Sequence, residues 1–406
     1  MHSSTTVRTG AQGALVLTAL FLVAACLRPA LTSVGSVLGQ IGDTTGLSGS
    51  ALGLLGALPL LGFAVVSPLV HGPASRWGVD RVVLVAMVVL CAGIVLRSLP
   101  PLPALWIGTA LIGASVAVGN VLIPAIIRRD QPSRISLLTG VNTSVMNASA
   151  ALAAGIAVPL SLLLGSWRPA LGLWAGLVAV AVLVWAVRMH RVPGPEVVGA
   201  VGTTHEEPER SVWTSAKAWQ VTVFMGLQST TYFTLMNWLP TVEASRGVAP
   251  TTAGWHLFGF QLAGIVAGLA ITTLMGRRAE QRPACLVVSV TMVVAMAGLV
   301  WAPEWDLLWV LLAGASTGGA IVVALALIAL RGGTHGRTVR LSGMAQSMGY
   351  LLAAVGPVAA GTLGQTMGVW EPVLLLVGAL ALAQTGISLF AGRPERNPHA
   401  LERSDH

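Results

Sequence analysis

Apolar runs long enough to cross a membrane recur from one end of the chain to the other, and they leave it few possible folds. A run of about 18 or more apolar residues with few charges matches the hydrocarbon thickness of a bilayer. Lipid offers no partner to a backbone N–H or C=O, so each run must satisfy its own as an α-helix. The alternating ten-residue strands of a membrane barrel are not seen in the sequence. Composition points the same way. The 406 residues are 54% hydrophobic and 9% charged, whereas a soluble protein is about a quarter charged. Twelve runs can be drawn between Gly13 and Phe390. The expected fold is therefore an all-α membrane protein of twelve transmembrane helices, and a soluble enzyme is excluded.

Charge placement gives the expected orientation. With the N-terminus in the cytoplasm, nearly all of the 23 Lys and Arg residues fall in loops on that side. Arg97, Arg168 and Arg246 fall on the other side, and Arg28 falls inside a span. Such a bias fixes topology in inner-membrane proteins. It predicts a multi-pass protein of the cytoplasmic membrane with both termini inside. The net charge of +8 is then explained by loops facing anionic lipid headgroups, and no nucleic-acid partner is needed. The expected organisation is a tail over 1–12, a six-helix unit over 13–187, a polar linker over 188–218, a second six-helix unit over 219–390 and a tail over 391–406. Val23-Ala24-Ala25-Cys26 looks like a lipoprotein cleavage box, but the many spans that follow make a lipid anchor redundant, and the segment is expected to be retained.

The two halves repeat each other. At an offset of 203 residues Thr139-Gly140 pairs with Ser342-Gly343, Ala150-Ala151 with Ala353-Ala354, and Trp167-Arg168-Pro169 with Trp370-Glu371-Pro372. At an offset of 201, Gly46 and Gly53 pair with Gly247 and Gly254. Both copies start on the same side of the membrane. They are therefore parallel repeats, as in the major facilitator fold of two pseudosymmetric six-helix bundles, where the substrate site lies between the halves near the midplane.

Arg28 is the residue that most constrains function. A charge at membrane depth is costly and normally faces a cavity or a partner. No Asp or Glu lies within any of the twelve runs, so Arg28 is expected to face the central cavity and bind an anionic or strongly polar solute. The structural alternative is an arginine held by helix-end carbonyls. Pro29 beside it removes a backbone hydrogen bond and predicts a bend. In the repeat, Arg28 falls opposite Ser229, next to Gln228 and Tyr232, which share a helix face. Asn147 and Tyr350 occupy equivalent mid-membrane positions, while Asn142 and Asn120 are weaker candidates for the same cavity. Trp174 and Trp255 could stack on a planar solute. His256 is a candidate proton carrier, because it is the histidine well inside a span. Ordinary packing and interhelical hydrogen bonding remain the alternatives for all of these. Gly264–Gly268 and Gly314–Gly318 have the G-x-x-x-G spacing of closely packed helices. Cysteine spacing gives no metal motif, and the P-loop of an ATP-driven pump is absent. No cofactor, metal or catalytic group is expected.

Leu27-Arg28-Pro29-Ala30-Leu31-Thr32-Ser33-Val34-Gly35, Gly119-Asn120-Val121-Leu122-Ile123-Pro124, and Gln228-Ser229 with Tyr232 and Trp238-Leu239-Pro240 carry a family resemblance. Together they are similar to the cyanate permease and 2-nitroimidazole transporter family of the major facilitator superfamily. The chain departs from that pattern at Cys26 and Ser36, where asparagine and proline are expected. The resemblance implies a monomeric secondary or facilitative transporter of a small polar or anionic solute, working by alternating access. It also implies an inner gate at Arg76, Asp80 and Arg81, while the bend expected at Pro29 itself suits a moving helix. A proton-driven exporter of drugs or metabolites is the alternative within transport. A membrane sensor with a transporter fold is the alternative outside it.

Overall fold

The computed structural model describes residues 10–191, 211–276, 280–332 and 334–393. The first bundle comprises α1 (Gly10–Leu27), α2 (Pro29–Ser36), α3 (Leu38–Thr45), α4 (Gly49–Val66), α5 (His71–Trp77), α6 (Val79–Arg97), α7 (Leu102–Asp130), α8 (Ile135–Leu163), α9 (Trp167–Gly172) and α10 (Trp174–Arg191). The second comprises α11 (Ala216–Ser245), α12 (Pro250–Met275), α13 (Arg282–Trp301), α14 (Asp306–Gly332), α15 (His335–Met367) and α16 (Glu371–Ala391). The ends of α6, α7, α10 and α14 gather Asp80, Arg129, Arg188 and Arg331 on one face, called here the arginine-rich face.

Among the described residues, 11 helical stretches are long and apolar enough to cross a membrane. The remaining span, α11, has 30 residues but fails on polarity, since Gln228, Ser229, Thr230, Thr231, Thr234 and Asn237 lie along it and are buried. A helix this polar cannot face lipid, and its burial on nearly every side shows where it sits. It crosses the middle of the molecule, against α15, α14, α16 and α2. Its repeat counterpart is the α1–α2 span, also central.

That first span is broken as Pro29 predicts. α1 stops at Leu27, Arg28 forms the joint, and α2 resumes at Pro29. A second interruption at Val37, which the sequence did not signal, separates α2 from α3. Three bonds fix the short α2 segment. The Thr32 hydroxyl donates to the Ala150 carbonyl at 3.0 Å, the Ser36 hydroxyl donates to the Ala154 carbonyl at 2.8 Å, and Arg97 Nη1 donates to the Ala30 carbonyl at 2.6 Å.

Two residues expected in loops prove to be structural. Arg97 is buried, with Nε and Nη2 lacking a protein partner. Arg188 is buried between Asp80 and Asp130, 2.6 Å from each carboxylate, and Arg129 joins the network at 2.8 Å from Asp80. Asp80, expected at a gate between halves, therefore ties α6 to α7 and α10 within the first bundle. Burial makes such a network costly to break singly, because the partner charges would be stranded.

The bundles meet along two seams that the pseudosymmetry exchanges. On one, α4 packs on α15, and a methyl group at Gly53 would run into the Pro357 carbonyl. On the other, α12 packs on α8, and a methyl group at Gly254 would lie 3.4 Å from the Ala154 carbonyl. Gly53 maps to Gly254 and Pro357 to Ala154 at the two repeat offsets, so the duplication read from the sequence recurs in the contacts. Within the second bundle the G-x-x-x-G pairs face one another. A methyl group at Gly318 would collide with the Gly264 backbone, and one at Gly264 would come within 3.1 Å of the Gly314 carbonyl. Gly318→Val is expected to destabilise the protein by about 1–3 kcal/mol or more through overpacking, read as a lower Tm in detergent. An unchanged Tm would show that α12 and α14 do not approach this closely.

Candidate functional site: the cavity around Arg28

Arg28 sits at the joint between α1 and α2, half-buried, and its Nε is buried without a protein partner. Among the described residues no carboxylate pairs with it and no hydrogen bond engages its guanidinium. Tyr232 of α11 and Tyr350 of α15 both pack against the apolar cluster that holds Leu27 and Leu31, on either side of Arg28. Three of the residues singled out by sequence thus come together across the boundary between the bundles.

Aromatic contacts frame the group. Phe63 of α4 meets the Tyr350 ring edge-on at 5.5 Å. Tyr232 meets Phe233 edge-on at 4.9 Å and lies nearly parallel to Phe260 at 6.2 Å. The Tyr232 hydroxyl accepts a hydrogen bond from Gln261 Nε2 at 3.1 Å. Gln261 and Phe63 were not anticipated. An amide inside an otherwise apolar span was a usable signal for the first, and nothing distinguished the second. Gln228 is buried beside them, but its amide donates to its own neighbour Ser229 at 2.7 Å and to Met225 Sδ at 3.4 Å rather than into open space.

The other expected residues spread out. Asn147 is half-buried on α8 and Asn120 half-buried on α7, and neither bonds to a described residue. Asn142 is buried, its Nδ2 donating to Met146 Sδ at 3.5 Å while Oδ1 has no partner. Trp174 packs against the apolar core of the first bundle. Trp255 is 46% exposed and stands at the α8–α12 seam, over Gly155 and against Phe258. Arg76 and Arg81 are exposed. The structure does not bring His256 to Arg28. It lies in the second turn of α12, at the face opposite the arginine-rich one, 2.8 Å from Glu243. Sequence reasoning missed this partner because Glu243 had been placed beyond the end of a span, whereas α11 continues past it to Ser245.

The halves meet differently toward the two faces. Toward the opposite face the halves touch at backbone distance. Gly35 abuts the Met236 carbonyl and Gly49 the Gly361 carbonyl, and the Gly49 amide donates to Gln365 Oε1 at 2.6 Å. Val34, Leu38, Leu52 and Leu55 of the first bundle share one apolar cluster there with Leu235, Trp238, Leu239 and Val242 of the second. Toward the arginine-rich face α8 and α12 part around a cleft of about 560 Å³ between Leu137–Ala148 and Leu269. The halves are thus in close contact toward one face and part toward the other, and none of Arg28, Tyr232 and Tyr350 lines the cleft.

Comparison with known proteins agrees. The profile of the Major Facilitator Superfamily matches residues 20–357. The chain belongs to the Major Facilitator Superfamily. This major facilitator transporter is 38% identical over 370 residues to an uncharacterized transporter of Bacillus subtilis (strain 168), covering 90% of each chain. It is 36% identical to the 2-nitroimidazole transporter of Escherichia coli (strain K12), over 93% of its own length and 95% of the relative's. To the cyanate transport protein of the same organism it is 28% identical, over 87% and 91%. The resemblance drawn from the Leu27–Gly35 segment is therefore sound. Among solved structures, a bacterial homologue of the human lysosomal transporter Spinster, inward-facing and unoccupied, superposes with a TM-score of 0.75 at 12% identity over 95% of this transporter and 98% of that chain. The D-xylose–proton symporter superposes with a TM-score of 0.72 at 14% identity, over 95% and 100%. At such identities these two share the fold alone.

Proposed function

We propose that this transporter moves a small, planar, anionic or acceptor-rich solute between its bundles, and that Arg28 supplies the charge that holds it. One observation carries the reading. A guanidinium at membrane depth has no counter-ion among the described residues, and a mobile solute completes it. Tyr350 and Tyr232, packed against the same apolar cluster, offer hydroxyl groups and ring faces. Asn147 and Asn120 have free amides on neighbouring helices. The relatives are named for cyanate and 2-nitroimidazole, both compact solutes rich in acceptor atoms, which suits a planar guanidinium fork. The arginine bias supports both termini in the cytoplasm, so the cleft beside α8 and α12 lies on the cytoplasmic side and the closed end faces outward.

A thermal-shift screen of purified protein against small planar anions and nitro-heterocycles tests this. A bound solute at about a hundredfold excess over its Kd stabilises the folded state by roughly 2.7 kcal/mol, which appears as a raised Tm. Counterflow of the same solute in proteoliposomes should follow. A screen in which large cationic drugs alone raise the Tm would set the proposal aside.

A further inference from the structure

We propose that Glu243, His256 and Asp306 form a binding site for a divalent transition-metal ion of the zinc class, at the face opposite the arginine-rich one. The three residues come from three helices. Glu243 lies in the last turn of α11, His256 in the second turn of α12, and Asp306 opens α14. His256 Nδ1 is 2.8 Å from Glu243 Oε1 and 3.4 Å from Asp306 Oδ2. One donor atom from each residue falls within 4.8 Å of the other two. A tetrahedral zinc ion with ligands at about 2.1 Å spaces its donors about 3.4 Å apart, so a small adjustment completes the cage. Imidazole with two carboxylates is a donor set that zinc accepts.

Burial and lack of partners point to a ligand rather than a plain ion pair. The Glu243 side chain is 1% exposed, yet its Oε2 makes no hydrogen bond to a described residue, and Asp306 Oδ2 is held by the same histidine only at 3.4 Å. Isolated carboxylate oxygens are costly in such surroundings. One imidazole nitrogen thus faces two carboxylates, 2.8 Å from Glu243 and 3.4 Å from Asp306. The nearest arginine along α11 does not help. Arg246 donates to the Leu299 carbonyl at 2.5 Å and lies 3.7 Å from Glu371 instead. Among the described residues no Arg or Lys pairs with Glu243 or Asp306. His256 and Asp306 are each partly exposed, at 15% and 17%, which gives an ion an entry path and leaves a fourth position for water. All three ligands belong to the second bundle, so the ion would clasp α11, α12 and α14 without crossing a moving seam.

The test uses tag-free, full-length protein in detergent, stripped with a chelator and titrated with zinc chloride. Zinc is expected to raise the Tm by a few degrees, and cobalt in its place to give visible absorption characteristic of four-coordination. Glu243→Gln and His256→Gln should each weaken binding by at least about tenfold, a loss that even removal of an outer-shell partner can cause. Absence of any zinc-dependent rise in the wild type overturns the proposal. Equal stabilisation of wild type and both variants overturns it too, by placing the ion elsewhere. Should either variant fail to fold, the cobalt spectrum of the wild type decides alone.

Discussion

Arg28→Ala is expected to weaken solute binding by roughly two to three orders of magnitude while leaving the protein folded and inserted. Truncating one side of a buried, hydrogen-bonded charge contact costs about 2–5 kcal/mol, and here the other side is the solute. The folded state has less to lose. The guanidinium makes no ion pair with a described residue, and its Nε is already without a partner. The bend at Arg28 follows from Pro29 and from the bonds that α2 makes to Ala150 and Ala154, which the substitution leaves in place. Arg28→Lys should restore part of the binding, because it keeps the charge and loses the planar fork. Binding measured by thermal shift or scintillation proximity on purified variants reads this directly. Wild-type affinity in Arg28→Ala would remove the residue from the site.

Gly53→Val is expected to stop transport for a different reason. The added side chain meets the Pro357 carbonyl, which is backbone and cannot move aside cheaply. The arrangement closed at this face is thereby penalised, while the one open there is not. A penalty of about 3 kcal/mol shifts the balance between two states by roughly a hundredfold. Solute should still bind, with exchange between faces lost. A reporter cysteine at Leu239, which is buried in the apolar cluster of the sealed end, should change from protected to reactive toward a membrane-impermeant maleimide added from that face. If the reporter stays protected and transport continues, the α4–α15 contact is not part of the gate.

Much of the fold could be read from the residues because a membrane leaves few choices. Run length fixed helices, arginine bias suggested orientation, and the offset pairs announced the duplication. The glycine pairs of α12 and α14 were legible for the same reason, since only small residues let backbones approach. The expectation that Arg28, Tyr232 and Tyr350 share a site came from a charge at depth combined with pseudosymmetry, and it is carried forward as part of the proposal. What escaped were contacts between polar residues near helix ends. Arg188 looked like a loop residue because it follows an apolar run, and only the neighbouring ends of α6 and α7 show its two carboxylates. Glu243 and Asp306 are separated from His256 by 13 and 50 positions, and no spacing rule unites them. The inner-gate reading of Asp80 came from its place in a loop motif, but the ion pairs keep it within one bundle.

The polarity of α11 carries a consequence for how the protein is made. A segment with three amides, Gln220, Gln228 and Asn237, and a row of hydroxyl groups partitions poorly from the translocon into lipid by itself. Its stable position depends on α2 from the earlier half and on α14, α15 and α16, which emerge afterwards. During synthesis it must therefore wait in a sheltered site or be carried in by neighbours. Truncated chains ending soon after Ser245 should accordingly leave this stretch less firmly integrated than the whole protein does.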